Sequence, residues 1–85
     1  MKQKLTLDCP AIYQIEVQGY LDESRSDWFD DMAIVPQVGS QGVSVTRLTG
    51  RVTDQAALHG LLLKLYNLGM PLLSVNCIEQ IQEKE

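Results

Sequence analysis

An α+β fold built on one antiparallel sheet is predicted by three features of this sequence. Residues 11–21 alternate apolar and polar side chains, residues 54–68 carry leucines at helical spacing, and glycines at 39 and 42 separate two β-branched runs. Period two marks a half-buried strand, period 3.6 an amphipathic helix, and a glycine-bounded pair of runs a hairpin.

The elements follow in chain order. Residues 1–10 form a polar lead-in that ends at Pro10, and its first few residues are expected to be loosely ordered. In the first strand Tyr13, Ile15, Val17, Gly19 and Leu21 share one face and Gln14, Glu16, Gln18 and Asp22 the other, with Ile12 and Tyr20 interrupting the polar side. The segment DESRSDWFDDM then turns helical in character. Asp22, Ser24 or Ser26 can cap about two turns, acids suit the positive end of a helix, and Trp28 and Met32 stand at i and i+4 with Phe29 beside them. Ala33–Val38 reads as a strand that Pro36 confines to a sheet edge, because proline has no N–H to give a ladder. Gly39-Ser40-Gln41-Gly42 turns the chain, and Val43–Thr49 returns it.

Gly50 to Thr53 is expected to bridge to the principal helix. Asp54 can cap it by accepting from free first-turn amides, and Leu58, Leu61, Leu62, Leu65 and Leu68 make one apolar stripe. Gly69 supplies a left-handed residue just past the end, and Pro71 stops the helix from resuming. Leu72–Ile78 is the last strand, with Leu73, Val75 and Cys77 on one face, followed by a charged tail expected to fray over 80–85. The order predicts a single α+β domain over 1–85 of the ferredoxin-like βαββαβ kind. Its sheet would run 4-1-3-2, with both helices on one face and a short first helix. The alternative is a three-strand meander crossed by the long helix, with the last strand added alongside.

Composition limits the function classes. A chain of 85 residues hides only about 60% of the surface its unfolded form exposes, so burial against a second copy would add needed stability. Its 45% hydrophobic and 21% charged residues suit a globular domain. A net charge of −4 with scattered lysines and arginines does not suit a nucleic-acid partner. The open sheet face, with Gln14, Glu16, Gln18 and Asp22, also lacks the aromatics that stack on bases. No apolar run is long enough to cross a bilayer and no signal-like segment opens the chain, so a cytoplasmic location without a membrane partner is expected. Cys9 and Cys77 lack metal or redox spacing and are expected as free thiols. No phosphate loop, dinucleotide fingerprint, zinc motif or nucleophile elbow occurs, so neither a cofactor nor a metal is expected.

The candidate binding residues are His59, Gly60, Tyr66, Trp28 and Gln55, and no catalytic residue is assigned. His59, the sole histidine, lies at the margin of the leucine stripe near Gln55, Leu63 and Tyr66. It reads either as a ligand-contacting or proton-transferring imidazole or as a half-packed boundary residue. Gly60 costs a helix interior about 1 kcal/mol relative to alanine. With Ala56 it would allow close approach of a second copy, or it is simply a tolerated surface glycine. Trp28 and Phe29, beside Asp27, Asp30 and Asp31, form either a platform for a cation or a plug for the core.

The stretches GYLDESRSDWF and LTGRVTDQAALHGLLLKLYNLGMPLLSV resemble a group of small stand-alone bacterial proteins of uncharacterised function. The resemblance rests on Gly19, Leu21, Asp22, Ser26, Asp27, Trp28 and Phe29, and then on Thr49, Gly50, Val52, Asp54 to Leu62, Lys64, Leu65, Leu68, Gly69 and Leu72 to Val75. Members often carry a second tryptophan where this chain has Arg25 and a proline where it has Arg51. The resemblance implies a bacterial cytoplasmic origin and no activity. The leading expectation is a non-enzymatic interaction module that pairs with itself, as a homodimer, or with another protein. The alternative is a ligand-binding protein or enzyme of the dimeric α/β-barrel type, with a pocket near His59 and Trp28.

Overall fold

A computed structural model describes residues 7–81. Strand β1 (Ala11–Gln18) leads through a 3-10 helix (Glu23–Phe29) to β2 (Ala33–Val38). A short 3-10 turn (Ser40–Gly42) joins β2 to β3 (Ser44–Val52), helix α1 spans Gln55–Asn67, and β4 is Leu72–Gln80. The sheet runs β2-β3-β1-β4 with every neighbouring pair antiparallel. From the other edge this is the neighbour order anticipated above.

The element order is not. The ferredoxin-like βαββαβ expectation is overturned because the described residues hold one α-helix, after the third strand. Nor is the sheet a meander, since β1 lies beside β3 rather than β2. The reason lies in residues 22–29. Asp22 does cap this segment, its Oδ1 accepting from Ser24 N at 3.3 Å, but the five residues after the cap offer no apolar stripe and only Phe29 is buried. Helices this short rely on tertiary packing, and without it the chain takes the tighter 3-10 form. Asp30 ends it in a left-handed conformation (φ 54°).

The core is one layer of side chains between the sheet and α1. Ala11, Tyr13, Ile15 and Val17 of β1 pair in register with Val52, Gly50, Leu48 and Thr46 of β3, and all but Gly50 of these residues are buried. Leu58, Leu61 and Leu65 of α1 close over them with Phe29, Met32 and Ile34. Each such side chain contributes about 1.5–3 kcal/mol on leaving water. Asp54 caps α1, its Oδ1 accepting from Ala57 N at 2.8 Å, and Gly69 (φ 78°) follows its end. Strand β3 does not stop at Thr49, because Gly50, Arg51 and Val52 stay paired with Tyr13, Ile12 and Ala11.

Strand β4 departs furthest from expectation. Two register shifts against β1 leave Leu73 and Ile78 as extra residues, so Leu73, Val75 and Cys77 do not form a single buried face. Val75 packs on the core while Leu73, Cys77 and Ile78 are exposed. Gln80, the first residue of the expected frayed tail, pairs with Ala11, and Leu7 of the lead-in accepts from Gln55 N at 2.8 Å. The rest of those two expectations falls on residues 1–6 and 82–85, outside the described residues.

Candidate interaction surfaces

Helix α1 presents three faces. Leu58, Leu61 and Leu65 face the sheet. At about 100° per residue, Gln55, Leu62 and Tyr66 share the flank toward β4, with His59 beside them, while Ala56, Gly60 and Asn67 point outward. Gln55 is committed to the fold, its Nε2 donating to the Tyr13 hydroxyl. His59 is exposed. A Cβ at Gly60 would meet nothing within 4 Å, so contact within the chain does not account for that glycine. Tyr66, 76% exposed, borders an apolar groove of about 200 Å³ with Leu62, Leu65, Met70, Pro71 and Leu72.

Trp28 and Phe29 are split. Phe29 is fully buried, whereas Trp28 is 48% exposed and lines a cleft of about 250 Å³ with Tyr20, Leu21, Arg25, Leu68 and Met70. The guanidinium of Arg25 lies 4.5 Å over the Trp28 ring, so the surface that could have received a foreign cation is covered by one of the chain's own. Lys64 of α1 donates to the Trp28 carbonyl at 2.6 Å, latching the 3-10 segment to the helix. His59 does not line this cleft.

Tyr20 and Met70 were not among the candidate binding residues, and Leu68, which is exposed, was read only as part of the leucine stripe. The available signal was Tyr20 breaking the polar face of β1. The structure explains its position through buried Thr46, whose hydroxyl donates to Gly19 O at 2.7 Å and accepts from Leu21 N at 3.1 Å. With Gly19 at φ 119°, these bonds hold Tyr20 outward, where it also borders a second cleft with Pro36, Gln37, Val38 and Ser44.

The two sheet edges differ. Edge β2 has six residues and carries Pro36. Edge β4 has nine, with no Pro, Lys or Arg, and it exposes Leu72, Leu73 and Ile78 at 54, 50 and 55%. The open face of the sheet is polar at its centre, where Arg47 pairs with Glu16 at 2.9 Å and Ser74 Oγ donates to the same carboxyl at 3.0 Å. Hydrogen bonds from Arg47 and Ser74 hold the Glu16 carboxyl below its ordinary pKa. Burial, with Cys77 and Cys9 nearby, pushes the Tyr13 hydroxyl up, and its bond with Gln55 opposes the shift.

At the opposite end of the sheet from Tyr20, Asp30 and Asp31 border an open depression with Arg51 and Thr53. Among the described residues no three His, Cys, Asp or Glu side chains gather to hold a metal ion, and no helix is long and apolar enough to cross a membrane. Cys9 and Cys77 are free thiols.

No curated protein and no solved structure matches the chain. A family model described as a domain of unknown function matches residues 12–76, which take in most of β1, all of β2, β3 and α1, and the first half of β4. The chain thus belongs to the DUF8691 family of domains of unknown function.

Proposed function

We propose that this domain is a non-enzymatic interaction module of the bacterial cytoplasm that pairs with a second copy of itself through the β4 edge and the adjoining flank of α1. The contrast between the sheet edges carries the reading. Natural sheets blunt their edges with proline, lysine, bulges or short strands, and β2 is short and carries a proline. Strand β4 has two bulges but no charge or proline at its centre, where Ser74 to Cys77 run in regular register with β1. Two copies of β4 set antiparallel about a two-fold axis are self-complementary.

Apolar area supports the same occupant. Weighted by their exposures, Tyr66, Leu72, Leu73 and Ile78 present on the order of 450 Å², so two copies approach the roughly 1,000 Å² that a specific interface needs. His59 and Tyr66 would then face the partner across the joined strands. Amide hydrogen exchange tests this reading. Protection at residues 74–77 should rise with protein concentration while that at residues 33–38 stays constant, and concentration-independent exchange along β4 would count against it.

A further inference from the structure

We infer that the cleft between the 3-10 helix and the end of α1 is a binding site for a small monocarboxylate with an aryl or branched-alkyl body. The inference does not depend on self-association, because the cleft is bounded by Tyr20, Trp28 and Leu68 rather than by the β4 edge. Its volume of about 250 Å³ is below that of drug-sized sites and suits on the order of a dozen non-hydrogen atoms. Tyr20, Leu21, Trp28, Leu68 and Met70 supply the apolar part of a mixed lining, and Arg25 is the one charged group among them.

The state of Arg25 selects the ligand's charge. Its side chain makes no ion pair or hydrogen bond with any described residue, while its guanidinium carbon lies 4.5 Å over the Trp28 ring. A guanidinium held over a ring face by its charge spends no N–H donor on that contact, so the fork that matches a carboxylate stays available. The acids of the same segment, Glu23 and Asp27, do not line the cleft.

The walls are held before any ligand arrives. Thr46 pins residues 19–21, and the Lys64 latch fixes the Trp28 backbone against α1. Gly69 N donates to Tyr66 O at 2.9 Å and Met70 N to Leu65 O at 3.2 Å, so these carbonyls at the end of α1 are engaged rather than facing an incoming anion. Preorganisation of this kind lowers the ordering cost that otherwise limits small ligands.

Trp28 is the only tryptophan, so its emission reports on the cleft. Titration with 3-phenylpropanoate should give a saturable change with half-saturation at about 1 mM, and 3-phenylpropanamide should bind at least about tenfold more weakly. Because Arg25→Gln also removes the contact with the ring, binding to this variant is read from the ligand's NMR line widths. It should lose about tenfold in affinity, and Arg25→Lys should keep part of the preference for acid over amide. N-acetyl-Ala-Phe is the arm that separates sources. Tighter binding of the dipeptide would mark the carboxylate as a chain terminus, and equal or weaker binding would mark it as a free acid. The inference is overturned if acid and amide bind alike, if Arg25→Gln binds the acid as the parent does, or if no saturation is reached by about 20 mM.

Discussion

Replacing Thr46 by valine should cost this domain about 3 kcal/mol, although the two side chains have the same shape and valine is the better strand former. Thr46 is fully buried on β3, between Val17 of β1 and Pro36 of β2. Its hydroxyl is both donor to Gly19 O at 2.7 Å and acceptor from Leu21 N at 3.1 Å. Valine removes both bonds and leaves a carbonyl and a buried amide without partners, at about 1–3 kcal/mol each. The added methyl returns about 0.8 kcal/mol. Thr46→Ser reverses the trade: it keeps the hydroxyl and loses a methyl, for about 1 kcal/mol. A domain of 85 residues has on the order of 4–13 kcal/mol in total, so the difference between the variants is readily measured by urea unfolding followed by circular dichroism. The Leu21 amide should also exchange faster in Thr46→Val than in Thr46→Ser. A valine variant as stable as the serine variant would refute the assignment of Thr46 as the clasp of the Tyr20 turn.

Two glycines should respond to alanine with opposite signs. Gly60→Ala meets open space and should stabilise α1 by about 0.5–1 kcal/mol, whereas Gly50→Ala places a Cβ 3.0 Å from Met32 Cγ and 3.2 Å from its Cα and should cost about 1–3 kcal/mol, both read from thermal unfolding. The Glu16 carboxyl titrates lower folded than unfolded, so its contribution is present above the ordinary carboxylate pKa and is lost as pH falls through the folded value. Glu16→Gln should flatten the acid side of the stability profile. The Tyr13 hydroxyl titrates higher folded than unfolded, so stability should decline as pH rises through the folded pKa, and Tyr13→Phe should remove that decline.

Much of the fold was legible because local signals and packing agreed. Asp54, the leucine stripe and Gly69 bracket α1 as their chemistry requires, and the alternation from Ala11 to Val17 names the buried face of β1. Where the two disagreed, the sequence misled. Residues 23–29 have a cap and acids but nothing to bury except Phe29, so propensity yields a 3-10 turn instead of a crossover helix. Gly50 looked like punctuation, yet it is a strand residue made small by Met32 lying against it. On β4 the alternation of Leu73, Val75 and Cys77 is undone by bulges that only the register with β1 reveals.

The surfaces were legible in part. Trp28 and Tyr66 do border clefts, and the two clefts meet at Met70. Gln55 was engaged by Tyr13, a contact between residues 42 positions apart that no local pattern encodes. Arg25 was not among the candidate binding residues, and its position over the Trp28 ring is visible only in three dimensions.

Sedimentation velocity of the parent protein beside Leu73→Lys tests the pairing of β4. Leu73 is half exposed, so the lysine is tolerated by the folded monomer, and unfolding by urea should be unchanged at concentrations where both proteins are monomeric. In a dimer the same residue is buried twice, once per copy. Losing that burial, with a lysine to desolvate, should weaken association by about 100-fold or more. The parent should show a monomer–dimer equilibrium in the micromolar range while the variant stays monomeric. A parent that remains monomeric at about 100 μM, or a variant that dimerises as the parent does, would contradict the account.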